Sequence, residues 1–330
     1  MADGDKNVRV GVVGAGYLGT FHIEKYLSFD NVDLVGVSDL NPGVAKMVRD
    51  KFGVSCHENY RELLDKVDAV SVVVPTVLHH DVAMDFLKRG VDVFVEKPIT
   101  SAVDEAERLI TAADSKDLIL QVGHLERFNP AIIALEGHLK EPMFIESHRL
   151  SPFPERSTDI DVILDLMIHD IDIILSMVKS EIAAIDAVGV PIITSHVDIV
   201  NARLNFENGC VANVTASRVS IEKMRKIRLF QSDAYISIDY AAQKITVYKR
   251  INDAKNGLSI VKEDIEISPS DYLGDEIRSF INSVKTRRRP PVTGRDGKRA
   301  LEVAMMIKER LGASLKRLRE MGIITDDVTA

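Results

Sequence analysis

The sequence predicts two domains: an α/β domain with a parallel sheet over residues 1–124, and an α+β domain with a large open-faced, mostly antiparallel sheet over 125–294. Three observations carry this. Short, nearly unbroken β-branched runs (VRVGVV at Val8–Val13, AVSVVV at 69–74, VDVFV at 91–95) alternate with amphipathic stretches, as expected of strands buried on both faces and joined by helices. The first of these runs leads straight into a glycine-rich turn, Gly14-Ala15-Gly16-Tyr17-Leu18-Gly19. Beyond Gly123 the strands lengthen and alternate in polarity while helices become rarer, so the architecture changes there.

Taken in order, the glycine turn sits between strand Val8–Val13 and a helix over 17–28, and strand Val32–Ser38 follows, ending at Asp39. This is the strand–turn–helix–strand setting of a dinucleotide fingerprint. Gly14 permits the tight turn, Gly16 lets backbone amides approach a pyrophosphate, and Gly19 lets helix and strand pack closely. The start of the helix, at Tyr17 and Leu18, offers unpaired N–H groups to phosphate. Asp39, 20 residues after Gly19, can accept both adenosine ribose hydroxyls and repels a 2′-phosphate, so NAD is expected over NADP. The first domain is therefore a Rossmann domain.

A helix over 42–51 opens on Pro42. The strand at 69–74 stops at Pro75, and Pro75, Thr76 and His79 then stand as candidates for the nicotinamide half of the cofactor, with helix capping by Thr76 and a solvated histidine as the alternative. The run at 91–95 ends on Glu96-Lys97-Pro98. Proline cannot donate to a sheet ladder, so Lys97 should emerge at the carboxyl edge, where open α/β sheets bind ligands. A helix over 102–115 and a strand over 118–122 complete the domain at Gly123-His124.

The second half is predicted to hold a helix over 128–139, a strand over 143–150, a proline-bearing loop over 151–158 and an apolar helix over 161–178. Strands follow at 184–191, 197–206, 210–219, 226–231, 235–239 and 245–249, with Asn208-Gly209 as a hairpin signal. Asn201, Arg203 and Asn205 alternate with Ala202, Leu204 and Phe206, which leaves one sheet face partly polar and open to cover by another subunit. Helices Tyr272–Thr286 and 298–319 close the chain, and a C-terminal helix at about 295–320 is expected to pack back on the first domain.

The helix over 161–178 carries Asp165, His169, Asp170 and Asp172 among Ile, Leu, Met and Val. Asp165 and His169 are four residues apart and share a face. Ionisable groups on so apolar a helix must be paired or face a cleft. Histidine suits proton removal from an alcohol as hydride leaves its carbon. A carboxylate one turn away can orient the ring, and a lysine ammonium such as Lys97 can stabilise the developing alkoxide. An ordinary surface ion pair is the competing reading of Asp165 and His169.

Composition narrows the class. A formal charge of −8 argues against a broad nucleic-acid footprint. The basic run at 285–289, next to Pro290 and Pro291, reads as a helix end and turn. Cys56 and Cys210 make neither a metal-ligand pattern nor a disulfide framework, so no metal is expected. The polar start and the lack of any long apolar run fit a cytoplasmic protein that does not enter a membrane.

GAGYLG, then Glu96-Lys97-Pro98, then Asp165…His169 together resemble the Gfo/Idh/MocA family of oxidoreductases along essentially the whole chain. The resemblance implies a Rossmann domain plus an open-faced sheet domain, assembled as a homodimer or homotetramer through that sheet. It implies that Lys97, Asp165 and His169 are catalytic, that Gly14, Gly16, Gly19 and Asp39 bind NAD, and that Glu96 lies near the cofactor. The stretches GHLERFNP at 123–130 and DLMIHD at 165–170 are similar to the branch of the family that oxidises the 3-hydroxyl of UDP-N-acetylhexosamines. On that likeness His124 and Asn129 meet the sugar, against a satisfied loop histidine and a helix-start cap, and Arg127, Arg149, Arg156 and Arg218 are candidates for the diphosphate, against ordinary surface arginines. Alternatives are an inositol or free-sugar dehydrogenase, and a non-enzymatic dinucleotide-binding sensor.

Overall fold

The β-branched runs of the first half become β1 (Val8–Val13), β2 (Val32–Ser38), β4 (Ala69–Val72), β5 (Asp92–Glu96) and β6 (Leu120–Gly123), with the two-residue β3 (Cys56–His57) at one edge. The six form one parallel sheet in the order β3-β2-β1-β4-β5-β6. The computed structural model describes residues 6–322 apart from 136, 154–160, 195, 241 and 254–256. It divides into two units, Met1–Phe128 with Asp271–Arg299, and Asn129–Ser270 with Ala300–Ala330.

In the first unit every residue of β4 and β6 is buried, which is why these strands read as unbroken apolar runs rather than as alternation. Helices α1 (Tyr17–Leu27), α2 (Pro42–Phe52), α3 (His79–Lys88) and α4 (Val103–Asp114) are the crossovers. Strand order reverses between β1 and β4, and ligands of open sheets bind outside the carboxyl ends at such a point. Gly14, Asp39, Val73, Lys97 and His124 each lie just beyond a strand's carboxyl end, on that one edge.

The helix that returns to this unit is α7 (Tyr272–Thr286), where the sequence pointed to the helix at about 295–320. Ile277, Phe280, Ile281 and Val284 of α7 join the core of Val10, Val12, Tyr26 and Phe94. Phe280 meets Phe94 edge-on at 5.7 Å. From Ala300 onward α8 (Gly294–Glu320) belongs to the second unit and places Ala300, Val303, Ala304, Ile307 and Leu311 in its core. Both helices are amphipathic, so periodicity could not say which core each would join.

The second unit is built on an eight-stranded sheet, ordered β14-β13-β12-β11-β7-β10-β9-β8. Its strands are β7 (Pro142–Leu150), β8 (Ile182–Val190), β9 (Ile199–Phe206), β10 (Val211–Ser217), β11 (Met224–Gln231), β12 (Ala234–Asp239), β13 (Lys244–Asp253) and β14 (Gly257–Ile265). Only β7 and β10 pair in parallel. The Asn208-Gly209 turn joins β9 to β10, with Gly209 at φ +86°, a conformation that glycine adopts without strain. The inner sheet face packs against α6 (Ile168–Met177) and the second-unit part of α8. On the opposite face, Phe144, Phe230, Tyr235 and Tyr248 line up in a row with centroids 5.6, 4.9 and 5.8 Å apart.

The helix expected over 128–139 is only α5 (Pro130–Ile133). Asn129 caps it by accepting from Ala131 N at 3.0 Å, and the following backbone tightens to an i→i+3 bond, Leu135 N to Ile132 O. Gly137, the poorest helix former in the window after proline, follows. Among the described residues no helix is long and apolar enough to cross a membrane.

Candidate active site

On the first unit, the glycine turn is shaped as its spacing requires. Gly14 has φ +92°, and a Cβ there would lie 2.3 Å from the Val73 carbonyl oxygen. A Cβ on Gly19 would lie 1.9 Å from the Gly14 carbonyl oxygen. Gly16 differs, since a Cβ on it would meet nothing within 4 Å. Gly14 and Gly19 are therefore needed for packing, and Gly16 faces open space at the start of α1. No side chain caps α1, so its first N–H groups remain available to an anion. Asp39 closes the turn: Oδ2 accepts from Ala15 N at 2.8 Å and Oδ1 from Asn41 N at 2.8 Å. A turn open at Gly16, an uncapped helix start and a carboxylate at the end of β2 fit the pyrophosphate and ribose of NAD.

Pro75 opens a single 3-10 turn, Thr76–Leu78. His79 is 1% exposed, with Nδ1 2.8 Å from the Pro98 carbonyl oxygen and Nε2 2.9 Å from that of Val74. It clamps the loop after β4 to the loop after β5. Burial holds its pKa below the ordinary histidine value, against the pull of those carbonyls. Neither of the sequence's readings, nicotinamide contact or solvated histidine, included such a clamp.

β5 ends at Glu96, and the Lys97–Pro98 peptide is cis. Glu96 Oε1 lies 3.1 Å from His22 Nε2, and Oε2 accepts from Lys97 N at 3.2 Å. After β6, His124 is buried and Arg127 half-buried in the 3-10 turn Leu125–Phe128.

On the second unit, Asp165 lies in a π-helical turn, Ile163–Met167, that runs directly into α6 and His169. Ile168 N donates to Ile163 O, five residues back. In a pure α-helix, residues four apart are about 40° out of line around the axis. A π turn advances less per residue, so it brings Asp165 and His169 closer to one line. Asp161 starts this element, its Oδ1 accepting from Ile163 N at 3.1 Å and Leu164 N at 3.0 Å. Lys308 of α8 holds its other oxygen at 2.6 Å.

Arg149 and Arg218, read from sequence as candidate diphosphate contacts, are both buried with carboxylates. Arg149 Nε and Nη2 reach Asp170 Oδ2 and Oδ1 at 2.6 and 3.2 Å. Arg218 Nε donates to Asp198 Oδ1 at 2.8 Å. Burial pushes the Asp198 carboxyl up, but the amides of Thr194, Ile193 and Ile192 together with Arg218 outweigh this and hold it well below the usual range. Asp170 neighbours His169, so the Arg149 fork anchors α6 next to that residue. Asp172 is buried on the same helix. Arg156 lies outside the described residues. Among those residues no group of His, Cys, Asp and Glu could hold a metal ion.

Residues 8–124 match the family model for the NAD-binding Rossmann fold of the GFO/IDH/MocA oxidoreductases, and residues 133–237 match the GFO/IDH/MocA C-terminal domain. The chain is 37% identical over 313 residues to UDP-N-acetylglucosamine 3-dehydrogenase from Acidithiobacillus ferrooxidans, covering 94% of this chain and 99% of that protein. A solved structure of that enzyme superposes with a TM-score of 0.88 over 93% of this chain and 98% of that one. Myo-inositol 2-dehydrogenase from Thermotoga maritima is 27% identical, covering 92% of this chain and 96% of that protein. The scyllo-inositol dehydrogenase of Lactobacillus casei, 21% identical with a TM-score of 0.79 over 94% and 97% of the two chains, shares the fold. With a family model matched on each unit, and Glu96-Lys97-Pro98 and Asp165…His169 placed at a sheet edge and on a helix turn, the chain belongs to the GFO/IDH/MocA family of oxidoreductases and is a dehydrogenase.

Proposed function

We propose that the protein uses NAD to oxidise the 3-hydroxyl of a UDP-N-acetylhexosamine, giving a 3-keto sugar nucleotide. The observation that carries this is the 37% identity, spanning both units, with an enzyme of that named activity. Gly14, Gly16, Tyr17, Leu18 and Gly19 hold the pyrophosphate and Asp39 the adenosine ribose. Pro75, Thr76, His79, Glu96 and Lys97 form the nicotinamide end. When bound, NAD supplies the hydride acceptor. His169 takes the hydroxyl proton, Asp165 orients its ring and supports its charge, and Lys97 hydrogen-bonds the oxygen and stabilises the alkoxide. His124 and Asn129 meet the sugar. Arg127 and Arg149 are the candidates for the diphosphate contact, and the Arg149 guanidinium also pairs with Asp170. The second reading, oxidation of an inositol, is supported by the Thermotoga maritima relative at 27% identity.

The test is reduction of NAD or NADP with UDP-N-acetylglucosamine and with myo-inositol. Turnover is expected with NAD and the sugar nucleotide. NADP should bind more weakly by about 2–3 kcal/mol, the scale of a lost charged hydrogen bond. Turnover of inositol alone would move the second reading ahead, and equal use of NADP would mean that Asp39 does not read the ribose.

We also propose that the protein is a homo-oligomer joined through the outer face of the eight-stranded sheet. Phe144, Phe230, Tyr235 and Tyr248 supply an aromatic strip on the face that also carries the polar Asn201 and Arg203, with Tyr248 37% exposed. Light scattering at micromolar concentration should give a dimer or tetramer, and Tyr248→Glu should lower the assembly state. A wild-type monomer throughout would refute this.

A further inference from the structure

Behind Glu96 runs a chain of buried polar groups that the reaction as described does not use. His22 of α1 is 1% exposed, on a helix whose other buried residues are Gly19, Ile23 and Tyr26. Its Nε2 is 3.1 Å from Glu96 Oε1 and its Nδ1 is 3.2 Å from Ser71 Oγ of β4. Ser71 Oγ lies 2.7 Å from Tyr26 Oη. With the ring neutral, one assignment satisfies every atom. A carboxylate only accepts, so His22 Nε2–H donates to Glu96. In the neutral ring Nδ1 then accepts, so Ser71 O–H donates to it and Tyr26 O–H donates to Ser71.

We propose that His22, set in one tautomer by Ser71 and Tyr26, is the positioning residue that holds the Glu96 carboxylate beside Lys97. This rests on the reading of Lys97 as the group at the reacting oxygen. The carboxylate is confined from two sides. A Cβ on Gly123 of β6 would lie 2.9 Å from Oε2 and 3.0 Å from both Cδ and Oε1, so the β6 backbone lies close against the carboxylate and leaves no room for a side chain there. Phe94 packs edge-on to the His22 ring at 5.2 Å. Burial pushes Glu96 up, but the His22 hydrogen bond, the Lys97 charge and the Lys97 amide outweigh it, and its pKa is lowered.

The other ionisable groups facing this chain are His79 of α3, which feels the Glu96 charge, and Glu276 of α7, whose charge reaches Tyr26. Tyr26 is held well above its usual value, chiefly by burial, so the far end stays protonated. The chain is therefore a line of fixed dipoles ending on Glu96, not a path for protons to solvent. A fixed negative charge next to Lys97 gives its ammonium one preferred place.

The experiment compares wild type with His22→Leu, His22→Gln and Ser71→Ala in kcat against pH, and follows the His22 ring by 15N NMR in the cofactor-free protein. His22→Leu should lower kcat by about 10²-fold, the cost of misplacing a catalytic group from a distance. With the donor lost, Glu96 needs less acid to protonate, so the acid limb of the profile should move to higher pH. His22→Gln keeps an N–H near the Nε2 position and should recover most of the rate. In wild type the neutral His22 ring should carry its proton on Nε2, and Ser71→Ala should yield mixed tautomers. A His22→Leu profile with an unmoved acid limb, or a wild-type ring protonated at Nδ1 alone, would overturn the proposal. An inert Lys97→Ala change would instead remove the reading of Lys97, while the His22 tautomer would still report on the relay itself.

Discussion

His169→Ala is expected to slow the chemical step by roughly 10²–10⁴-fold, the usual range for a lost general base. Lys97→Ala should cost a similar factor, because a donor aimed at developing alkoxide charge is often worth as much as the base. Changing both should cost less than the product of the two, since residues acting as one unit are non-additive. NAD affinity should survive in His169→Ala, whose residue belongs to the second unit while the glycine turn and Asp39 belong to the first. Single-turnover formation of NADH reads all of this. A His169→Ala enzyme at the wild-type rate beside a dead Lys97→Ala would assign the proton to Lys97.

Asp170→Ala should destabilise the protein by about 3–5 kcal/mol, because it strands the Arg149 guanidinium in the interior. Arg149 is 3% exposed and Asp170 1%, and the two oxygens of the carboxylate meet two nitrogens of the fork. Replacing both partners, as Arg149→Met with Asp170→Leu, should recover most of that loss, since an apolar pair of similar volume avoids the desolvation cost. Urea denaturation of the three variants measures it. A loss under about 1 kcal/mol in Asp170→Ala would mean that water or another acceptor serves Arg149.

What could be read in advance followed the physics that acts locally. A strand buried on both faces must be apolar throughout, and a turn with no room for a Cβ must carry glycine, so β1, Gly14 and Gly19 were legible. Tyr272–Thr286 was legible as a helix, but its partner was not, because the amphipathic period shows that a face is buried and not against which core. The π turn escaped for a similar reason: Asp165 and His169 stand four apart in sequence whatever the local winding. β14 was missed because Lys262, Glu263 and Asp264 on an edge strand hide its alternation. The Arg149–Asp170 pair and the His22–Glu96 contact join residues 21 and 74 positions apart. The hint in each case was a polar residue on an apolar element, which signals a partner without naming it.

The central claim is that hydride leaves carbon 3 of a UDP-N-acetylhexosamine. The direct measurement uses UDP-N-acetylglucosamine carrying deuterium at carbon 3, with unlabelled NAD, and mass analysis of both products. The account predicts one deuterium in the reduced nicotinamide and a sugar nucleotide that has lost it, with a carbonyl at that carbon. Reduced cofactor without deuterium, formed while the label stays on the sugar, would contradict it.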